Sequence, residues 1–171
     1  MNDAIKNILS RHSVRSFTDE KISDEDLKTI VNCGLHAPTA MNKQSFIFTV
    51  VRDEEIIKKL EKSIEKNMDR PNYSMYHSKC IIILSNDREN GNGYADCSCA
   101  LENIFLGANA LGIGSVWINQ LKNTCDCPDT REILRSLNIP DSHMVWGTAA
   151  LGYATTKDFE PKERTATVNY F

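Results

Sequence analysis

The stretch from Tyr94 to Leu111 most constrains the fold of this 171-residue chain, because it is the longest helical pattern in the sequence. Small or apolar residues recur there at helical spacing: Cys97, Ala100, Leu101, Ile104, Phe105, Ala108 and Leu111. Since the remaining positions of this stretch carry few charges, we expect a helix that is buried on most sides. Such a helix requires further layers of structure around it.

Short apolar segments and amphipathic helices alternate along the rest of the chain. Strands are predicted at 46–51, 80–84, 113–118 and 143–153. Helices are predicted after Asn2 or Asp3, from Ser23 to Pro38, after Asp53 and over 130–137. In the first helix the residues expected to be buried are Ile5, Ile8 and Leu9. The pattern predicts one layered α/β or α+β domain spanning residues 1–171.

Composition excludes several classes of protein. A net charge of −3 lacks the overall positive charge of a nucleic-acid-binding protein. No leader-like or membrane-spanning run is recognisable, so we expect a cytoplasmic protein. The six cysteines are then expected to be free thiols, because the cytoplasm is reducing.

The segment RHSVRSF (11–17) alternates basic and polar residues at every second position. In an extended segment Arg11, Ser13 and Arg15 share one face, where two guanidinium groups and a hydroxyl suit the oxygens of a phosphate. The alternative is a solvated basic turn. A second basic pair, Lys162 and Arg164, lies near the C-terminus and is by itself a common surface pattern. Together the two pairs could neutralise a dianion.

The segment HAPTAMNKQSF (36–46) places Thr39, Asn42 and Gln44 between a helix end and a buried strand. Carboxamides donate and accept hydrogen bonds, which suits the mixed edge of a heterocycle. The alternative is that Asn42 and Gln44 satisfy backbone groups of the loop.

Two other patterns carry less weight. Gly112 and Gly114 form neither a Rossmann nor a P-loop motif, and a helix C-terminus accounts for them. The pairs Cys97/Cys99 and Cys125/Cys127 leave a redox or metal-binding module open as an alternative, although the first pair falls on opposite sides of a helix.

Taken in order, these motifs resemble the nitroreductase family of FMN-dependent oxidoreductases. The matching segments are RHSVRSF (11–17), HAPTAMNKQSF (36–46), LGIGSVWI (111–118) after the long helix, NIPDSHMVWGTAALGYA (138–154) and PKER (161–164). The resemblance implies an α+β fold with a central, mostly antiparallel sheet flanked by helices. It also implies a homodimer with FMN sites between the subunits, which would account for the apolar helix.

The resemblance also implies roles for individual residues. The phosphate, ribityl and pyrimidine end of FMN would be held by Arg11, His12, Ser13, Arg15, Lys162 and Arg164. The partner subunit would contribute Pro38, Thr39, Asn42 and Gln44. The isoalloxazine ring would lie beside the backbone of Trp117, Ile118, Asn119 and Gln120, with an N–H of Asn119 or Gln120 near N5.

The implied activity is reduction of a nitroaromatic, quinone or similar small acceptor with NADH or NADPH, by a ping-pong mechanism. Arg15 would stabilise the anionic reduced flavin, and no side chain is identified as catalytic. Ser45 and Ala154 stand where relatives often have proline, and the short chain lacks much of the insertion that covers the ring in longer members. An alternative is therefore a protein that stores or senses FMN with little turnover.

Overall fold

The computed structural model describes residues 1–156, 159 and 163–171. Its sheet has four strands: β1 (Phe46–Val51), β2 (Cys80–Asp87), β3 (Gly114–Ile118) and β4 (His143–Gly152). The strand order is β1-β2-β4-β3, and every neighbouring pair is antiparallel. The predicted α+β class with an antiparallel sheet is confirmed.

Among the described residues, six α-helices surround the sheet: α1 (Asp3–Ser10), α2 (Asp24–Leu35), α3 (Glu54–Met68), α4 (Gly93–Ala110), α5 (Gln120–Thr124) and α6 (Pro128–Ser136). The side chains of Asn2, Ser23 and Asp53 cap α1, α2 and α3, as their positions in the sequence predict. None of the helices in the described ranges is long and apolar enough to cross a membrane.

Alternating residues of the central strands point into two separate cores. On one face, Ile82 and Leu84 of β2 pack with α2 and α4 around Ile30, Leu101 and Ile104. The opposite face packs against α3, α5 and α6, with core residues Ile57, Leu60, Ile64, Ile81, Ile83, Leu121 and Leu134. Because β2 is covered on both sides, its residues 80–84 form a continuous apolar run.

The burial of two helices differs from the expectation. Helix α4 is buried along the face that contacts the sheet and α2, but Tyr94, Cys99 and Glu102 on its other side are exposed. In α1 the prediction of a buried face is wrong for the single chain, because Ile5, Ile8 and Leu9 are 46%, 56% and 64% exposed. Polar contacts hold α1 in place instead: Asn7 donates to the Leu106 carbonyl and accepts from Asn109.

Candidate functional site

The Arg11–Arg15 segment is fixed by backbone hydrogen bonds to the sheet. The Val14 N–H donates to the Ser115 carbonyl at 2.9 Å, which pairs the segment with the start of β3. Four residues on, the Thr18 N–H donates to the Tyr153 carbonyl at 2.8 Å. The segment is therefore extended, and its side chains alternate between two faces.

One of these faces packs on the protein. Val14 covers Gly114 so closely that a Cβ atom there would lie 2.8 Å from the Val14 Cβ. With His12, Val14 lines a cavity of about 360 Å³ beside the C-terminal end of α4. His12 also stacks on Phe159, with ring centroids 3.7 Å apart. Its ring is therefore engaged in packing.

The other face carries the residues predicted to bind phosphate. Ser13 and Arg15 are exposed, and neither side chain has a hydrogen bond or ion pair within the described part of the chain. Arg11 is half-buried, and its Nε lies 3.6 Å from Glu102 Oε1 on α4. The segment thus presents a hydroxyl and a guanidinium group without protein partners, together with a second guanidinium group in one long ion pair.

The second basic pair is described only in part. Lys162 lies outside the described residues, and Arg164 is exposed. Phe159, five residues before Arg164, is the residue that stacks on His12. Phe159 therefore contacts the face of the Arg11–Arg15 segment that is opposite to Ser13 and Arg15.

The loop over 38–45 has an unusual backbone. Met41, Asn42 and Gln44 have φ angles of 54°, 53° and 48°, in the left-handed region that non-glycine residues seldom adopt. Strain of this kind concentrates at functional sites. The loop is tied to the first turn of α4, because the Ala40 N–H donates to Asp96 Oδ1 at 3.0 Å.

The two carboxamide side chains of this loop bond to each other, whereas Ser45 bonds to Asn86 and Asn90 outside it. Gln44 Nε2 donates to Asn42 Oδ1 at 2.8 Å, and both residues are exposed. Only Thr39 satisfies a loop backbone group, accepting from the Gln44 N–H at 3.2 Å. Pro38 is exposed. The alternative that the carboxamides serve the loop backbone therefore has no support here. Within the described residues, no hydrogen bond or ion pair joins this loop to the Arg11–Arg15 segment of the same chain.

The segment from Trp117 to Gln120 lies at the other end of β3 from the Arg11–Arg15 segment. Ser115 and Asn119 are four residues apart, or about 13 Å along a strand. Ile118 is 2% exposed and buried among the α3 and α5 side chains. Trp117 is half-buried and packs 6.1 Å from the Phe105 ring. The two ends of β3 thus suit an elongated ligand with an anionic tail and a flat ring.

Several residues that lie around Gln120 belong to no recognisable sequence motif. Lys122 on α5 places its Nζ atom 4.3 Å from the centre of the Tyr94 ring and 5.5 Å from that of Trp146. Tyr73 donates a hydrogen bond to Gln120 Oε1. These contacts join four distant parts of the chain, and no local pattern could have revealed them.

The cysteines are separated rather than clustered. Burial raises the pKa of Cys97 to about 12 and that of Cys80 to about 11. Cys125 is 1% exposed, and burial raises its pKa too, which makes its thiol a poor nucleophile although it lies close to Cys127 in the sequence. The described residues contain no group of three or more His, Cys, Asp or Glu side chains arranged to hold a metal ion.

Comparison with known proteins identifies the family. Residues 8–77 and 69–153 match the profile described as Nitroreductase family. A protein of Archaeoglobus fulgidus, provisionally named NADH dehydrogenase/NAD(P)H nitroreductase, is 36% identical over 164 residues, which is 93% of this chain and 90% of that protein.

Two crystal structures of nitroreductases with bound FMN share the fold. The one from Bacteroides fragilis has a TM-score of 0.88 at 33% identity and covers 100% of this chain and 98% of its own. The one from Desulfitobacterium hafniense has the same TM-score at 25% identity and covers 100% and 99%. The chain described here belongs to the nitroreductase family.

Proposed function

We propose that this protein is an FMN-dependent oxidoreductase that uses NADH or NADPH to reduce nitroaromatic, quinone or similar small acceptors. Its relatives include an FMN reductase [NAD(P)H] of Bacillus subtilis that is 36% identical over 157 residues. The observation that carries the proposal is the Arg11–Arg15 segment, whose fixed backbone leaves Ser13 and Arg15 exposed, with no side-chain hydrogen bond or ion pair to any of the described residues.

The described residues fit the phosphate tail of FMN. A phosphate monoester carries close to two negative charges at neutral pH. Arg11 and Arg15 supply two guanidinium groups, and Ser13 supplies a hydroxyl donor. Because Val14 anchors the backbone between Ser13 and Arg15, little backbone conformational entropy is lost on binding. Arg164 and Lys162 would complete the charge from the C-terminal segment.

The ring of FMN would lie at the far end of β3. There the Gln120 N–H would hydrogen-bond the edge of the ring, because the Asn119 N–H already donates to Gln120 Oε1, and Trp117 would pack near it. When bound, FMN would take a hydride from NAD(P)H and pass the electrons to the acceptor. The protein's part is to bind and orient the two substrates in turn, which predicts ping-pong kinetics.

The site would be completed in a homodimer. The loop carrying Thr39, Asn42 and Gln44 makes no hydrogen bond or ion pair with the Arg11–Arg15 segment of its own chain within the described residues, although both carry polar groups suited to the cofactor. A partner subunit could supply that loop. The exposed apolar residues of α1, Ile5, Ile8 and Leu9, also favour a protein partner.

The test is an anaerobic titration of the FMN-reconstituted protein with NADH and with NADPH, followed by a panel of acceptors. We expect a yellow protein that is bleached by at least one nicotinamide and regains its colour with a quinone or nitroaromatic. Failure to retain FMN would overturn the proposal. Retained FMN that neither nicotinamide reduces would favour the alternative of a storage or sensing protein.

A further inference from the structure

Tyr73 belongs to the irregular segment between α3 and β2, which is fastened to α3 on both sides of it. The Asn72 N–H donates to Glu65 Oε1 at 2.9 Å, and the Met75 N–H donates to Glu61 Oε1 at 2.6 Å. Met75 is fully buried in the core. The position of Tyr73 is therefore set by the body of the protein.

From there, Tyr73 reaches the end of β3. Its hydroxyl donates to Gln120 Oε1 at 3.3 Å. The Asn119 N–H donates to the same oxygen at 3.1 Å. Burial is the main cause that raises the pKa of Tyr73, so the phenol keeps its proton throughout the neutral range.

These two donors determine the orientation of the Gln120 carboxamide. A backbone N–H can only donate, so the oxygen must face Asn119, and the Tyr73 hydroxyl occupies its second lone pair. The Nε2 group is then turned away from both. It has no hydrogen-bond acceptor among the described residues and is not sealed in the interior. Two N–H donors are thus held in one direction and available to a ligand.

We propose that Tyr73 is a positioning residue for the flavin ring, acting through Gln120. This inference rests on the proposed function, in which the ring lies beside Trp117–Gln120. A fixed donor next to the ring stabilises the more electron-rich reduced form over the oxidised form. Tyr73 therefore tightens FMN binding and raises the reduction potential of the bound cofactor, without itself touching the reacting atoms.

The test uses Tyr73→Phe, which removes the hydroxyl and keeps the ring. Tyr76→Phe is the matched control, because Tyr76 lies in the same segment, packs on the same core and makes no side-chain hydrogen bond within the described residues. The readouts are the FMN dissociation constant, from quenching of flavin fluorescence, and the midpoint potential, from equilibration with a reference dye.

We expect Tyr73→Phe to weaken FMN binding by about threefold to tenfold, the effect of one neutral hydrogen bond. A tenfold loss of preference for the reduced form lowers a two-electron potential by about 30 mV. Tyr76→Phe should change neither quantity. In a Gln120→Ala background, Tyr73→Phe should have no further effect, since its action passes through Gln120.

Gln120→Glu supplies a second variant that does not depend on the tyrosine. It keeps an oxygen for Tyr73 and Asn119 but replaces the Nε2 donors with an acceptor, so the potential should fall further than in Tyr73→Phe.

The inference is overturned if Tyr73→Phe matches the wild type in both readouts, if its effect persists undiminished in Gln120→Ala, or if Gln120→Glu leaves the potential unchanged. Wild-type protein that does not bind FMN would instead overturn the proposed function and this inference with it.

Discussion

At the scale of single residues, alternate side chains of RHSVRSF (11–17) lie on two faces of an extended segment. His12 and Val14 pack on Phe159 and Gly114, while Ser13 and Arg15 face outward. The predicted common face of Arg11, Ser13 and Arg15 fits an extended segment paired with β3. Whether these side chains hold a phosphate stays a prediction.

Replacing Arg15 with alanine should weaken FMN binding by about tenfold to a hundredfold, as expected for lost hydrogen bonds to a charged group. Riboflavin lacks the phosphate, so its affinity should change far less. The measurement is the ratio of the two dissociation constants in wild type and variant.

Arg135→Ala is the control for this substitution. Arg135 is an exposed arginine on α6, paired with Asp141 at 2.8 Å. Its removal should leave the ratio unchanged. An equal loss of FMN and riboflavin affinity in Arg15→Ala would argue against a phosphate contact.

The ion pairs of Asp126 predict part of the pH dependence of the protein's stability. Its hydrogen bond from Arg88, with a further one from Arg131, holds the pKa of the Asp126 carboxyl below its usual 3.8. A carboxyl whose pKa is lower in the folded state stabilises the fold above the unfolded-state pKa, and this stabilisation is lost as pH falls through the folded-state pKa.

Asp126→Asn should therefore lower the urea midpoint at pH 7 and reduce the loss of stability between pH 5 and pH 2. The effect should be small, because the Asp126 side chain is 59% exposed and screened by solvent. A variant with the same pH dependence as the wild type would show that this carboxylate does not contribute.

At the scale of elements, periodicity predicted most of the structure. The four strands and the capped helices α1, α2 and α3 appear where the pattern places them, and β1 matches residue for residue. Helix α5 was missed because its five residues are too short to show a period. The exposure of α1 could not be predicted, since periodicity indicates an apolar face and says nothing about what covers it.

The residues of the candidate site also fall into those that the sequence could predict and those that it could not. The Arg11–Arg15 segment and the loop over 38–45 are local patterns in the sequence and could be predicted. Tyr73 could not be, because its contact with Gln120 joins residues 47 positions apart through an irregular segment. Such contacts depend on tertiary packing, for which a single sequence carries no periodic signal.

The contact between the Arg11–Arg15 segment and β3 requires Gly114. A Cβ there would lie 2.8 Å from Val14 Cβ and 2.8 Å from Val14 Cγ2, so Gly114→Ala should push the segment off the strand. We expect a destabilisation of about 1–3 kcal/mol, typical of overpacking, together with weaker FMN binding.

Gly91→Ala provides the control, because a Cβ at that position meets nothing within 4 Å. Thermal unfolding and the FMN dissociation constant measure both effects. If the two alanine variants behave alike, the close approach of Val14 to β3 is unimportant for the site.

At the scale of the whole molecule, the exposed apolar residues of α1 favour an interface with a second subunit. Ile8 is 56% exposed in the single chain, so Ile8→Asp should leave the monomer folded. If α1 lies in a dimer interface, the variant should become monomeric and lose FMN, since the site would lack the partner's loop. Light scattering after gel filtration measures the mass.

Lys6→Ala serves as the control on the same helix, because Lys6 is exposed and pairs only with Asp3 among the described residues. It should remain as dimeric as the wild type. A monomeric wild type that binds FMN tightly would contradict the proposed site between subunits.

The central claim concerns how two subunits share one FMN molecule. The Arg11–Arg15 segment and the basic pair Lys162 and Arg164 of one subunit bind the same FMN as the loop over 38–45 of the other. A crystal structure of the protein grown with FMN tests it most directly. We predict that the phosphate lies within hydrogen-bonding distance of Arg11, Ser13 or Arg15, and that Asn42 or Gln44 of the partner subunit contacts the ring. A phosphate that faces solvent, with these arginines bound elsewhere, would contradict the account.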